Sequence, residues 1–197
     1  MRLHVSEITI QDFRVHLAYA REFPGASDAW YWASLWPAAV ALAEALYERD
    51  DLAGARVLEI GCGCGLAGIA AGRKGGEVTV TDLEPRALAL AEENWRRNHL
   101  QPAALKRLDW RDSTDLGTFD VILGADILYD EREFPSLIRT LRQKLSRKGR
   151  VLIAEPGRPQ ANDFFARMLR AGFGIDTRHH QVDLHGVCFE VSVSELA

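Results

Sequence analysis

The sequence has little of what marks several large classes of protein. Its 197 residues include only three cysteines, Cys62, Cys64 and Cys188. An odd and small number cannot build a disulfide framework, which points to a reducing compartment, the cytoplasm. No apolar run approaches the ~20 residues that span a bilayer. The opening MRLHVSEITIQDF lacks the apolar stretch of a signal peptide. A positive excess is missing too: 24 Lys and Arg face 28 Asp and Glu, a formal net charge of −4. Proteins that live on nucleic acid draw most of their affinity from a basic surface, so this balance disfavours such a partner. There is no internal repeat, low-complexity tract or long linker.

What is present suits one globular domain: 47% apolar and 26% charged residues, with five tryptophans at 30, 32, 36, 95 and 110. Residues 3–20 read as short strands or irregular structure, and Glu22 to Asp28 as a loop. Pro37 opens a helix with apolar residues at helical spacing. From Val57 the signals alternate. Short apolar strands are expected at 57–60, 78–81, 105–108, 119–124 and 151–154. Helices are expected at 66–74, 85–98, 131–145 and 162–170, with Arg147 and Lys148 near the end of the third. The tail, 174–182 and 187–193, reads as an antiparallel strand pair joined through Asp183 to Gly186. Strands alternating with helices predict an α/β fold, a Rossmann-like, doubly wound, mostly parallel sheet.

The strand Val57–Ile60 runs into Gly61-Cys62-Gly63-Cys64-Gly65 and then a helix. Glycines permit a tight turn and let backbone approach a ligand closely. Asp82 lies 21 residues after Gly61, at the end of the next strand, where a carboxylate can accept ribose hydroxyls. Two cofactors compete for this pattern. Gly63, Gly65 and Gly68 form the G-x-G-x-x-G of NAD sites, but Gly63 comes two residues late after its strand. Starting from Glu59, the alignment is E-x-G-x-G-x-G, the form of S-adenosylmethionine (SAM) methyltransferases. The Cys62/Cys64 spacing fits no standard zinc site, so no metal is expected.

Several segments together resemble the seven-β-strand lysine methyltransferases of methyltransferase family 16. They are Ser34-Leu35-Trp36-Pro37 before the first core helix, the GCGCG loop, Val80-Thr81-Asp82-Leu83, and the D-x-x-Y of Asp126-Ile127-Leu128-Tyr129. Glu155-Pro156-Gly157-Arg158-Pro159 resembles the branch that methylates the β subunit of electron transfer flavoprotein. The resemblance covers roughly residues 30–160. It implies a seven-stranded sheet with an antiparallel last strand, SAM as cofactor and a protein substrate, with that flavoprotein subunit as a candidate. It implies that Trp36, Glu59, Gly61, Cys62, Gly63, Asp82, Leu83, Asp109, Trp110 and Ala125 hold the cofactor. Residues 36–197 would form the SAM-binding domain, and residues 1–35 a substrate-side extension.

Asp126, at a strand's carboxyl end, would orient the amine and accept charge or a proton, and Tyr129 would stack on it or hydrogen-bond to it. Each also has a plainer reading, as a helix cap and as core packing. Glu155 is either a second carboxylate at the mouth or a strand-end acid. Arg158 either meets an acidic partner or is solvated. Trp30, Tyr31 and Trp32 could wall the site or simply pack.

The leading function is SAM-dependent protein-lysine methylation, with small-molecule N-methylation as the alternative. Base methylation is disfavoured because Asp126 is not followed by Pro-Pro and an aromatic. An NAD-dependent oxidoreductase and a non-catalytic SAM-binding module are the readings from other classes. Calorimetry separates the cofactors: micromolar binding of SAM or its demethylated product is expected, and NADH binding without SAM binding would overturn the assignment.

Overall fold

The alternating pattern after residue 56 becomes a single twisted sheet. The computed structural model describes residues 3–21, 30–101, 103–112 and 116–197, so the loop expected at Glu22 to Asp28 lies outside the described residues. Strands β1 (Leu3–Ile10) and β2 (Phe13–Ala20) precede α1 (Pro37–Tyr47). There follow β3 (Arg56–Ile60), α2 (Leu66–Arg73), β4 (Glu77–Asp82), α3 (Pro85–Arg97), β5 (Ala104–Arg107) and β6 (Phe119–Ala125). The chain ends with α4 (Phe134–Lys144), β7 (Leu145–Glu155), α5 (Ala161–Arg170), β8 (Ile175–Leu184) and β9 (Val187–Leu196).

Seven strands form the main sheet in the order β5-β4-β3-β6-β7-β9-β8. Strands β3 to β7 run parallel, and β9 is antiparallel to both its neighbours. Side chains alternate between the faces, as strand geometry requires. Val57, Val121, Leu123 and Leu152 join the core under α1, α2 and α3. Leu58, Ile60, Ile122 and Ile153 join the core under α4 and α5. Both faces are covered, which is why these strands read as continuous apolar runs.

Three boundaries differ from the sequence expectation. The helix expected from 131 begins as a 3-10 turn, Glu131–Glu133, capped by the Asp130 carboxylate on Arg132 N at 3.0 Å; the α-helix starts only at Phe134. Strand β7 begins at Leu145, not Val151, because Leu145 pairs with Phe119 across a register shift; Arg147 and Lys148 therefore lie on a strand. The tail strands pair up to Leu184 and Val187. His185 and Gly186, with φ of 57° and 78°, make the two-residue turn whose left-handed backbone matches hairpin twist.

Residues 3–20 are more regular than expected. They form an antiparallel hairpin, a separate two-stranded sheet. Val15, Leu17 and Tyr19 of β2 are buried in the core of the main sheet. The outer edge of β2 is covered by side chains rather than by a strand. Asn98 Oδ1 accepts His16 N at 3.0 Å, and Asn98 Nδ2 donates to His16 O at 2.9 Å. One turn earlier on α3, Asn94 accepts Ala18 N at 2.6 Å and donates to Ala18 O at 2.9 Å. Two amides at i and i+4 thus copy a strand edge and satisfy groups that would otherwise be buried unpaired. Asn94 also donates to the Cys64 carbonyl at 2.8 Å, tying the hairpin to the glycine loop. Replacing Asn94 with alanine strands these partners in the core. We expect Asn94→Ala to lower the free energy of urea unfolding by about 2–4 kcal/mol, with secondary structure content unchanged by circular dichroism.

Candidate active site

The glycine loop leaves β3 at the sheet's centre, where the neighbouring strands lead away to opposite sides. Gly61, Gly63 and Gly65 have φ of 66°, 52° and 81°, a region side chains rarely enter. A Cβ on Gly61 would lie 2.9 Å from Ile127 Cγ2, and one on Gly63 would lie 3.2 Å from the Trp32 carbonyl oxygen. The result is a cradle of bare backbone. Asp82 braces it: Oδ2 accepts Gly63 N at 3.0 Å and Oδ1 accepts Glu84 N at 2.9 Å. Burial pushes the Asp82 carboxyl above its ordinary value, while the bonds from Glu84 and Gly63 act the other way. An acid held at a strand end beside bare backbone suits a polyhydroxylated cofactor with an amino-acid end, which fits SAM.

The expected cofactor residues separate into two groups. Gly61, Cys62, Gly63, Asp82, the exposed Leu83 and Ala125 stand at the carboxyl ends of β3, β4 and β6. Trp36 stands before α1, half-buried, its indole N–H donating to the Tyr31 carbonyl at 3.1 Å. Glu59 is set apart. It is 3% exposed and lies under α2, its Oε2 where a Cβ on Gly68 would come within 2.4 Å. It therefore backs the loop instead of lining its open side. The loop's own thiols are buried, which pushes Cys64 up to about 12 and Cys62 upward in the same direction. Among the described residues, no group of three or more His, Cys, Asp or Glu could hold a metal ion.

Asp109 and Trp110, one or the other of which the resemblance places at the cofactor's adenine, each have a partner within the protein. The Asp109 oxygens accept from Arg111 at 2.8 and 2.6 Å. Trp110 packs on the α4 side of the sheet and donates to Glu133 at 3.0 Å. Of the three clustered aromatics, Trp32 is buried with the Arg86 guanidinium 5.2 Å from its ring centre, Trp30 packs against the core, and Tyr31 is exposed.

Asp126 follows β6 with φ of 55°, in the left-handed region that a short polar side chain tolerates. Its N–H donates to Ala154 O at 2.8 Å. Its carboxylate is nearly enclosed, and Arg158 grips both oxygens at 2.5 and 2.8 Å. Arg158, read from sequence as solvated or partner-facing, is turned inward instead. The Asp126 bond holds its guanidinium above its already high value. Glu155 is a buried strand-end acid whose Oε2 accepts Gly157 N and Arg158 N at 2.8 Å each. Tyr129 stands half-exposed beside Tyr31, Asp82 and Glu133, and loss of water around its hydroxyl pushes it up to about 12. It is a neutral hydrogen-bonding group.

Sequence reasoning missed Arg158 as the partner of Asp126 and Asn94 as the support of the loop. Two asparagines four apart on an Ala/Leu/Glu-rich helix were the available signal for the second. A cavity of about 470 Å³ opens elsewhere, between the end of α1 and strands β8 and β9.

This strand order, with a glycine cradle and a strand-end acid at the reversal, defines a Rossmann-like methyltransferase that takes its methyl group from SAM. Residues 31–171 match the family described as lysine methyltransferase. Protein N-lysine methyltransferase METTL21A of Danio rerio is 35% identical over 93% of this chain and 87% of its own length. The electron transfer flavoprotein beta subunit lysine methyltransferase of Danio rerio is 36% identical over 68% of this chain and 52% of its own. Among solved structures, magnesium protoporphyrin IX methyltransferase from Synechocystis, with bound SAM, superposes with a TM-score of 0.64 at 18% identity over 80% of this chain and 77% of that one, a likeness of fold. The chain belongs to the lysine methyltransferase family.

Burial pushes the Glu59 carboxyl from 4.5 to about 8. Between those values the folded protein holds a proton that the unfolded chain has released. Stability must therefore fall as pH rises from about 4.5 towards 8. Urea unfolding should show the wild type losing roughly 2–4 kcal/mol between pH 5.5 and 8. Glu59→Gln, which cannot ionise, should lose less than half of that.

Proposed function

We propose that the protein methylates the ε-amine of a lysine in a protein substrate. The observation that carries this reading is the enclosed Asp126 carboxylate, fixed at the end of β6 beside half-exposed Tyr129, across from the glycine cradle. The family match and the relatives named for protein lysines support it. SAM, when bound, supplies a methyl group on a positively charged sulfur that leaves as a neutral thioether.

The chain's own residues then have three tasks. The backbone of Gly61 to Gly63 and the Asp82 carboxylate hold the cofactor, with Trp36, Leu83 and Ala125 about it. Asp126 accepts an N–H of the incoming amine and aims its lone pair. With both oxygens already bonded to Arg158, it is suited to hydrogen bonding more than to taking the proton itself. The Tyr129 ring flanks the amine, its face favourable to a cationic or methylated nitrogen. Exposed Tyr31, beside Tyr129, would meet the substrate, and residues 1–35 would help to choose it. The free thiols of Cys62, Cys64 and Cys188 suit the cytoplasm. No helix among the described residues is long and apolar enough to cross a membrane.

The test is to incubate cell extract with the protein and methyl-tritiated SAM, then identify the labelled band and residue by mass spectrometry. Methyl-lysine in a protein is expected, and purified electron transfer flavoprotein β subunit is the first candidate to assay directly. Label only in small molecules would overturn the reading. Asp126→Asn should slow labelling roughly 100-fold, the scale of a misplaced reacting group, while SAM affinity by calorimetry stays within about threefold.

A further inference from the structure

Arg158 stands on the turn after β7, and that turn is built before its side chain is placed. Gly157, with φ of 81°, allows the sharp reversal. Glu155 Oε2 clamps the N–H groups of Gly157 and Arg158 at 2.8 Å each. From there the guanidinium reaches back across the sheet edge and closes a two-pronged bond on Asp126, with Nε at 2.5 Å and Nη2 at 2.8 Å. Asp126's side chain is 5% exposed and that of Arg158 32%, so the pair is largely shielded from solvent. A fork of this kind fixes direction as well as distance, which a lysine could not do.

The titratable groups around Arg158 come from two segments of the chain. Asp126 follows β6, Glu155 ends β7, and the Tyr129 hydroxyl faces Arg158 from the loop after β6. Tyr129 in turn faces Tyr31, Asp82, Glu133 and Asp130. Arg158 is thus a cation set between two carboxylates at the mouth of the site. We propose that Arg158 is a positioning residue for methyl transfer, aiming Asp126 and offsetting its charge so that the bound lysine ammonium releases its proton to solvent water before its lone pair attacks the methyl group. This rests on the lysine reading given above. Without Arg158, the carboxylates of Asp126 and Glu155 would both favour the ammonium form of an arriving lysine, which has no lone pair to attack with. With Arg158 in place, Asp126 still accepts one N–H but holds the proton less firmly.

The test compares wild type with Arg158→Gln and Arg158→Lys. Methylation of the extract protein that wild type labels is followed from pH 6.5 to 10, and SAM affinity is measured on each variant to confirm a folded site. In Arg158→Gln the acid limb of the rate should move up by about one to two pH units. The rate at pH 7.5 then falls roughly 10- to 100-fold and recovers at high pH. Arg158→Lys keeps the charge and should keep the limb within about half a unit, with a lower plateau from the lost fork. A readout free of substrate is the arginine Nε–H region of the ¹⁵N NMR spectrum. The signal assigned to Arg158 is expected to be protected from exchange in wild type and to lose that protection in Asp126→Asn.

An equal loss at every pH, no loss at all, or absence of the protected signal would overturn the inference. If wild type keeps the signal but labels no lysine, the lysine reading has failed and the inference falls with it. If lysine is labelled and the limb does not move, the inference alone fails.

Discussion

The bond from Gly63 N to the Asp82 carboxylate joins the two strand ends on which the site is built. It exists because β3 and β4 pair in parallel, which brings their carboxyl ends together; on the other side of β3 the order of the sheet reverses. From that central strand the chain moves outward through β4 and β5, then returns to the other side for β6 and β7. The loops after β3 and β6 must therefore part, and a crevice opens above their carboxyl ends. Asp82, at the end of β4, reaches sideways and holds the glycine loop open. Thr81 adds to this by donating to the Glu59 carbonyl at 2.6 Å from within the same strand pair.

Buried polarity is concentrated around that crevice. Asn94 supports the loop from behind through Cys64, and the same amide seals the edge of β2. Glu59 fills the space beneath α2 that the missing side chain of Gly68 leaves. On the far side, Glu155 shapes the turn that delivers Arg158 to Asp126. Asn94, Glu155 and Asp126 are costly to bury alone and acceptable only with their partners, whereas Glu59 Oε2 is buried with no hydrogen-bond partner. The loop backbone and the Asp126 side chain are consequently held from several directions at once. Such rigidity suits a reaction whose demand is alignment.

The elements from β3 to β6 were legible in the sequence, and the reason is burial. Val57 to Ile60 and Phe119 to Gly124 lie in a sheet covered on both faces, so continuous apolar runs marked them. The glycine loop and Asp82 were legible because a cradle of left-handed backbone has a narrow chemistry. The hairpin β1–β2 was less so. Exposed Leu3 and Val5 blur its alternation, and its outer edge is completed by Asn94 and Asn98, some 80 residues on. The start of β7 at Leu145 was hidden because its pairing with Phe119 uses a register shift instead of a run of apolar side chains.

Local chemistry thus set the alternation of strand and helix, the cradle at Gly61 to Gly65 and the acid 21 residues after it. These follow from backbone freedom and side-chain spacing over a few residues, which a linear chain displays. Only the tertiary structure decided that Arg158 meets Asp126, that Trp110 meets Glu133, and that Glu59 lies behind the loop. Those outcomes depend on which strand lies beside which, and on which side of each strand a residue falls. A charge 32 residues away in sequence becomes a neighbour only when β6 and β7 pair, and pairing is a property of the whole sheet.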